Sequence, residues 1–135
     1  MTLQWIGLIA ATATFLGVWI GHVSVRKIEF VSPNLWFPSL AALGIGLLLE
    51  FGALLSQNDC VSAALGILGI TVLWDALEFR RQQRRVEKGH APANPNNPRH
   101  RRILEENISA TTIDWLKRDP TGRQLSAEEL AEMGR

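Results

Sequence analysis

An acid inside an apolar stretch, a loose group of ionisable residues and a run of cations are the features of this chain whose types and spacing could do chemistry. The acid is Glu50, which interrupts "WFPSLAALGIGLLLEFGALL", residues 36–55. A carboxyl group in an apolar span is a functional suspect by default. It serves a proton or cation relay when a second acid shares its depth, and structural hydrogen bonding when none does. At 1.5 Å per residue Glu50 lies about 21 Å along its helix from Trp36, in the last third, with no second acid at mid-depth. Structural hydrogen bonding is the expected role, and Thr2, Gln4, Cys60 and Ser62 are the expected neighbours.

A second group gathers near the opposite end of the apolar stretches: His22, Arg26, Lys27, Glu29, Asp75, Glu78 and Arg81. Glu78 can pair with Arg81 three positions on along one helix. Asp75 has no such local partner, because Glu78 and Phe79 occupy its i+3 and i+4 positions. Its counter-ion is expected from Arg26, Lys27 or His22, an arrangement that would lock the first helix to the third. His22 with two carboxylates is the nearest approach to a metal site, but His or Cys at ligand spacing is lacking, so no metal or cofactor is expected. Cys60 is the only cysteine, which excludes an intramolecular disulfide. No nucleophile and base share a depth, and the chain reads as a non-enzyme.

The cations form the third feature. "RRQQRRVEK" places Arg80, Arg81, Arg84, Arg85 and Lys88 within nine positions. On a helix these five fall inside an arc of about 140°. A cationic stripe next to a membrane suits anionic headgroups, each cation being worth about 1 kcal/mol near the surface. The bland alternative is a topology signal on a solvated helix end. Nucleic-acid binding needs a larger basic surface than this.

The elements that must position these residues divide the chain between two solvents. Net charge is +1, yet residues 1–77 contain only two of the 14 Lys and Arg. Three apolar stretches, about 3–25, 36–55 and 60–79, each approach the roughly 20 residues needed to cross about 30 Å of hydrocarbon. They lack the polar face that a soluble helix shows. The expected fold is all-α and integral to the membrane, with three transmembrane helices. Residues 1–90 form the membrane domain, with the third helix continuing to about residue 89 in the cytoplasm. Arg26 and Lys27 follow the first span, and the stripe follows the third. The positive-inside rule therefore puts both on the cytoplasmic side and the N-terminus outside.

Small residues mark where these helices should pack. Ala13, Gly17 and Gly21 recur every four residues on the first span, Gly44 and Gly46 lie on the second, and Ala63, Gly66 and Gly69 on the third. Such rows let helix backbones approach closely, either within the bundle or against another chain.

Beyond the stripe, residues 91–98 carry three prolines in "APANPNNP" and read as an extended linker. Residues 99–135 form a polar, weakly amphipathic cytoplasmic tail of partial order. Its apolar positions are Ile103, Leu104, Ile108, Ile113, Trp115 and Leu116. Ser126 and Glu129 stand at capping-box spacing and predict a last short helix.

Several pieces come in a distinctive order: His22, "VRKIEF" at 25–30, "LGILGI" at 65–70, "LWDALE" at 73–78, "RRVEKG" at 84–89 and "NP" at 94–95. On these, residues 5 to about 95 resemble a family of small bacterial three-span membrane proteins, known only as a domain of unknown function. The resemblance implies the topology and a place in the bacterial cytoplasmic (inner) membrane, and it implies no activity. Two departures stand out: His22 is followed by Val23 where the family has proline, and His90-Ala91 replaces an aromatic pair. The expected function is an accessory or structural subunit of a larger membrane complex, its basic helix contacting headgroups or a partner. The alternative is a homo-oligomeric carrier or channel, which the lack of broken helices and internal repeats disfavours.

Overall fold

Every regular element among the described residues is helical: α1 (Trp5–Val31), α2 (Trp36–Leu55), α3 (Asp59–Glu87), α4 (Pro98–Glu106), a 3-10 turn (Trp115–Lys117) and α5 (Ala127–Met133). The computed structural model describes residues 4–117 and 126–133. The start assigned to the first span, Thr2 as a neighbour of Glu50, and tail residues 118–125 and 134–135 lie outside the described residues. The chain is all-α, and α1, α2 and α3 are each long and apolar enough to cross a membrane. The protein is therefore a multi-pass membrane protein.

Local chemistry sets the helix ends. α1 runs six residues past Val25 because nothing stops it before Pro33, which disfavours helical backbone at the residue before it. α3 starts where the Asn58 side chain accepts from the Cys60 and Val61 amides, with Asp59 in the positive first turn. It ends at Glu87, and Gly89 beyond it, at a φ of 72°, closes a Schellman motif. There the Gly89 amide donates to Val86 O and the His90 amide to Arg85 O. The glycine stops the helix before the first tail proline, Pro92, is reached.

Two compact units emerge, one of residues Met1–Ile28 and Leu35–Arg80, the other of Glu29–Asn34 and Arg81–Arg135. The division falls inside α3 rather than at residue 90, because beyond Arg80 the helix buries a face against the tail.

In the first unit glycine lets the helices touch. A Cβ at Gly17 would stand 2.7 Å from Thr71 Oγ1, and one at Gly21 would stand 2.8 Å from both carboxylate oxygens of Asp75. These contacts keep a constant offset, so α1 and α3 run parallel. Gly46 meets Leu73, Glu50 lies over Gly69, and Ala53 meets Gly66, so α2 runs antiparallel to α3. Ser62 Oγ donates to Ala53 O across the same pair. The large apolar side chains point the other way: Phe15, Trp19, Leu48, Phe51, Leu54 and Ile70 are exposed. That inversion suits hydrocarbon as the surrounding solvent. Thr12, Thr14 and Thr71 turn their hydroxyls back onto carbonyls of their own helices.

Gly44 departs from its expected packing role. A Cβ there meets nothing within 4 Å, because it faces away from the seam that Gly46 occupies two residues later. The two positions make a paired prediction. Gly46→Ala would bring its methyl to 2.6 Å from Leu73 Cγ and 2.9 Å from the Leu73 backbone nitrogen. Overpacking of this kind costs about 1–3 kcal/mol. Thermal unfolding in detergent should show a lowered midpoint for Gly46→Ala and an unchanged or raised one for Gly44→Ala.

The second unit has its own small core of Val86, Ala91, Ala93 and Ile103, with Leu104 and Ala110 against it. Residues 91–98, read as an extended linker, fold back instead: Ala91, Ala93 and Asn97 are buried, and the Ala93 amide donates to Thr111 O. Asn97 caps α4 by accepting from the Arg99 amide, and Pro98 takes the first helical position, where no amide is needed. The capping box starts α5 as its spacing predicted, Ser126 and Glu129 exchanging backbone-to-side-chain hydrogen bonds.

Candidate functional site

The most elaborate polar site surrounds Glu29, in the last turns of α1. Its residue is 1% exposed, and a carboxylate so buried must be both charge-balanced and hydrogen-bonded. Arg99, from the first turn of α4, provides the charge. Its Nη1 donates to Glu29 Oε1 at 2.9 Å and to Gln83 Oε1 at 3.1 Å. Its Nη2 donates to the Glu29 backbone oxygen at 2.6 Å, and its Nε donates to Ser32 O at 3.4 Å. One guanidinium thus joins α1, the connection after it, and α3. A lysine has no such planar fork.

His100 supplies the second contact, its Nε2 at 2.9 Å from the same Oε1. The neighbours settle its proton. The Asn94 backbone amide, which can only donate, lies 2.8 Å from Nδ1, so Nδ1 accepts and Nε2 bears the hydrogen. His100 is therefore neutral and donates to Glu29, so the ion pair belongs to Arg99. The ring is fully buried and meets Phe30 edge-on, with centroids 6.1 Å apart.

Two asparagines complete the site by serving the carbonyls at the end of α1. Asn97 Nδ2 donates to Phe30 O and Ser32 O, and Asn94 Nδ2 also donates to Phe30 O. A helix end leaves its last carbonyls without intrahelical partners, and here the tail satisfies them. Burial leaves Glu29 and His100 no open side for a substrate, so the arrangement acts as a lock. Among the described residues no three His, Cys, Asp or Glu side chains converge as a metal cage.

Of the other residues singled out from the sequence, His22 and Glu78 both lie within electrostatic range of Asp75. His22, Arg26, Lys27 and Arg81 are exposed, and Glu78 is buried. Asp75 sits against Gly21. Glu50 is half-buried, with Oε1 2.7 Å from where a Gly69 Cβ would be and Oε2 3.9 Å from that of Gly66. It therefore reaches about two turns deeper than the Cys60 and Ser62 neighbourhood expected for it. The reason is the antiparallel register of α2 on α3, which sets Glu50 level with Gly69 rather than with Ser62. Ala13 is buried, while Ala63 and Gly66 are half-buried and Gly69 is buried.

The cations of the stripe share one exposed face: Arg80, Arg81, Arg84, Arg85 and Lys88 are all open to solvent. Between them Gln82 and Val86 are buried. Arg85 Nη1 donates to Gln82 Oε1, which steadies one of the five. Such a face can take acidic groups or phosphates.

Arg99, His100, Gln83, Asn94 and Asn97 escaped the sequence reading. The usable signal was Asn97-Pro98, an N-cap and first-turn pair that announces a helix where only a linker was read. No curated protein and no solved structure matches this chain. The family described as Domain of unknown function (DUF4491) matches residues 4–97, stopping at the asparagine that caps α4. That match covers well over half of the 135 residues, and the chain belongs to this family.

Proposed function

We propose that this chain is an accessory or structural subunit of a larger membrane complex in the bacterial cytoplasmic membrane, with its N-terminus outside and its C-terminus in the cytoplasm. One observation carries the reading. The second unit is a compact polar body built on the continuation of α3, with that helix's apolar face buried and its cations all exposed. A helix whose buried side is fastened to its own tail presents a fixed cationic face to an acidic surface of a partner. The role is binding, and no reaction is assigned to it.

The test is purification in mild detergent at native expression. Larger membrane chains should accompany the wild type in fixed proportion. They should be lost from an Arg84→Gln/Arg85→Gln/Lys88→Gln variant that still accumulates normally. Recovery of the chain only with itself, at an oligomeric mass, would replace this reading with a homo-oligomeric carrier or channel.

Orientation has its own check. The cations at Arg26, Lys27 and Arg80–Lys88 support a cytoplasmic placement of both flanks. Reporter fusions after Arg26 and after His90 should read cytoplasmic, and one after Asn58 external. Any other pattern overturns the proposed topology.

A further inference from the structure

The helix registers of the first unit locate a plane that the sequence alone leaves undefined. Gly17 faces Thr71 and Gly21 faces Asp75, so α1 and α3 share a level at residue numbers 54 apart. On that register Arg26 stands level with Arg80, and Lys27 is next to it. The antiparallel pairs Gly46–Leu73, Glu50–Gly69 and Ala53–Gly66 put Ser39 of α2 at the same level. Phe37 and Trp36 then lie two and three residues further out, about 3–4.5 Å. All five are exposed, Trp36 by 71% and Phe37 by 73%. Three cations and two aromatic rings from all three helices thus occupy one band.

The opposite end provides the scale. The same register sets exposed Trp5 level with Asp59, the first residue of α3. From there to Arg80 are 21 residues, about 32 Å of helix, against about 30 Å of hydrocarbon. The band therefore stands where hydrocarbon gives way to headgroups, and cations and the amphipathic ring of a tryptophan such as Trp36 are groups that settle there.

We infer that Arg26, Lys27 and Arg80, flanked by Trp36 and Phe37, form a collar that holds the phosphates of anionic phospholipids around the first unit. Arginine pairs with phosphate through two parallel hydrogen bonds, while lysine adds a point charge. The Trp36 indole, with its polar N–H, fixes the depth at which those bonds are made. The collar depends on the three helices crossing a bilayer and not on the accessory role proposed above.

The experiment places the full chain in mixed phosphatidylcholine–phosphatidylglycerol bilayers and measures by electron spin resonance which spin-labelled lipid it immobilises. Wild type should favour phosphatidylglycerol. Each cation removed should lower that preference about five-fold, the equivalent of about 1 kcal/mol. Arg26→Gln/Lys27→Gln/Arg80→Gln should therefore come close to no preference. The charge-keeping variant Arg26→Lys/Arg80→Lys should retain it, as should the distal Arg84→Gln/Arg85→Gln/Lys88→Gln. No preference in the wild type, or an undiminished one in the collar variant, overturns the assignment. So does a loss confined to the distal variant. Displacement of the labelled lipid by inorganic phosphate also overturns it, because the collar would then belong to a soluble anion.

Discussion

Replacing Glu29 by leucine will strip the polar unit of its central acceptor and lower its stability by about 3–5 kcal/mol, the usual cost of removing one partner of a buried ion pair. Arg99 would then be an uncompensated charge with a side chain only 14% exposed, and the Nε2 hydrogen of His100 would point at a methyl group. Hydrogen exchange in detergent should report it. With a factor of ten for every 1.36 kcal/mol, the α4 amides should lose at least about a hundred-fold of their protection. The amides of the first unit should change little. Glu29→Gln, which keeps a carbonyl acceptor and drops the charge, should give an intermediate loss. Adding Arg99→Met to Glu29→Leu should recover part of the protection, because no charge is then left buried alone. Strictly additive losses would mean that the two residues do not act as a pair.

Gly89→Ala should be comparably damaging for a different reason. The left-handed backbone at a φ of 72° costs a residue with a Cβ about 1–2 kcal/mol. The new methyl would also run into the Ser109 carbonyl, a backbone group with no rotamer to escape by. Moving that segment strains the Ala93 amide bond to Thr111 O and the Trp115 Nε1 bond to Gly89 O. With overpacking added, the total should come to about 2–5 kcal/mol. Trypsin should then cut after Arg101 and Arg102 of α4 much faster than in the wild type. Asparagine separates the two causes, since it tolerates left-handed backbone better than other residues. Gly89→Asn should fare no better than Gly89→Ala if the carbonyl sets the cost. A clear rescue by asparagine would assign it to the backbone conformation.

How much of this the sequence could disclose depended on the range of the interaction. The three apolar helices were readable because an unbroken apolar run of some 20 residues has few alternatives. The continuation of α3 was equally readable, since nothing in "EFRRQQRRVE" breaks a helix before Gly89. The stripe followed from helical geometry alone. Glu29 shows where such reasoning stops. Its depth groups it with His22, Arg26, Lys27, Asp75, Glu78 and Arg81, yet its partners Arg99 and His100 lie 70 and 71 residues away in the tail. Periodicity within one segment carries no information about such a pairing. The linker was misjudged because three prolines usually mean extended chain, whereas Asn97 and Pro98 together start a helix. Gly44 and Gly46 look alike in sequence and face different ways, since two residues turn a helix by about 200°.

The way the tail caps α1 also imposes an order of events on the ribosome. The carbonyls of Glu29, Phe30 and Ser32 wait for Arg99, Asn94 and Asn97, which are synthesised some 65–70 residues later. At roughly 5–20 residues per second that delay is on the order of several seconds. Throughout it the first turnaround must hold itself together without its clasp. The polar unit also joins the stretch after α1 to the stretch after α3, so both must emerge on the same side of the bilayer before it can assemble. A chain whose second or third helix failed to insert would leave the two halves of the clasp in different compartments. In such a chain Arg99, Asn94 and Asn97 could not reach the end of α1, and the polar unit could not close.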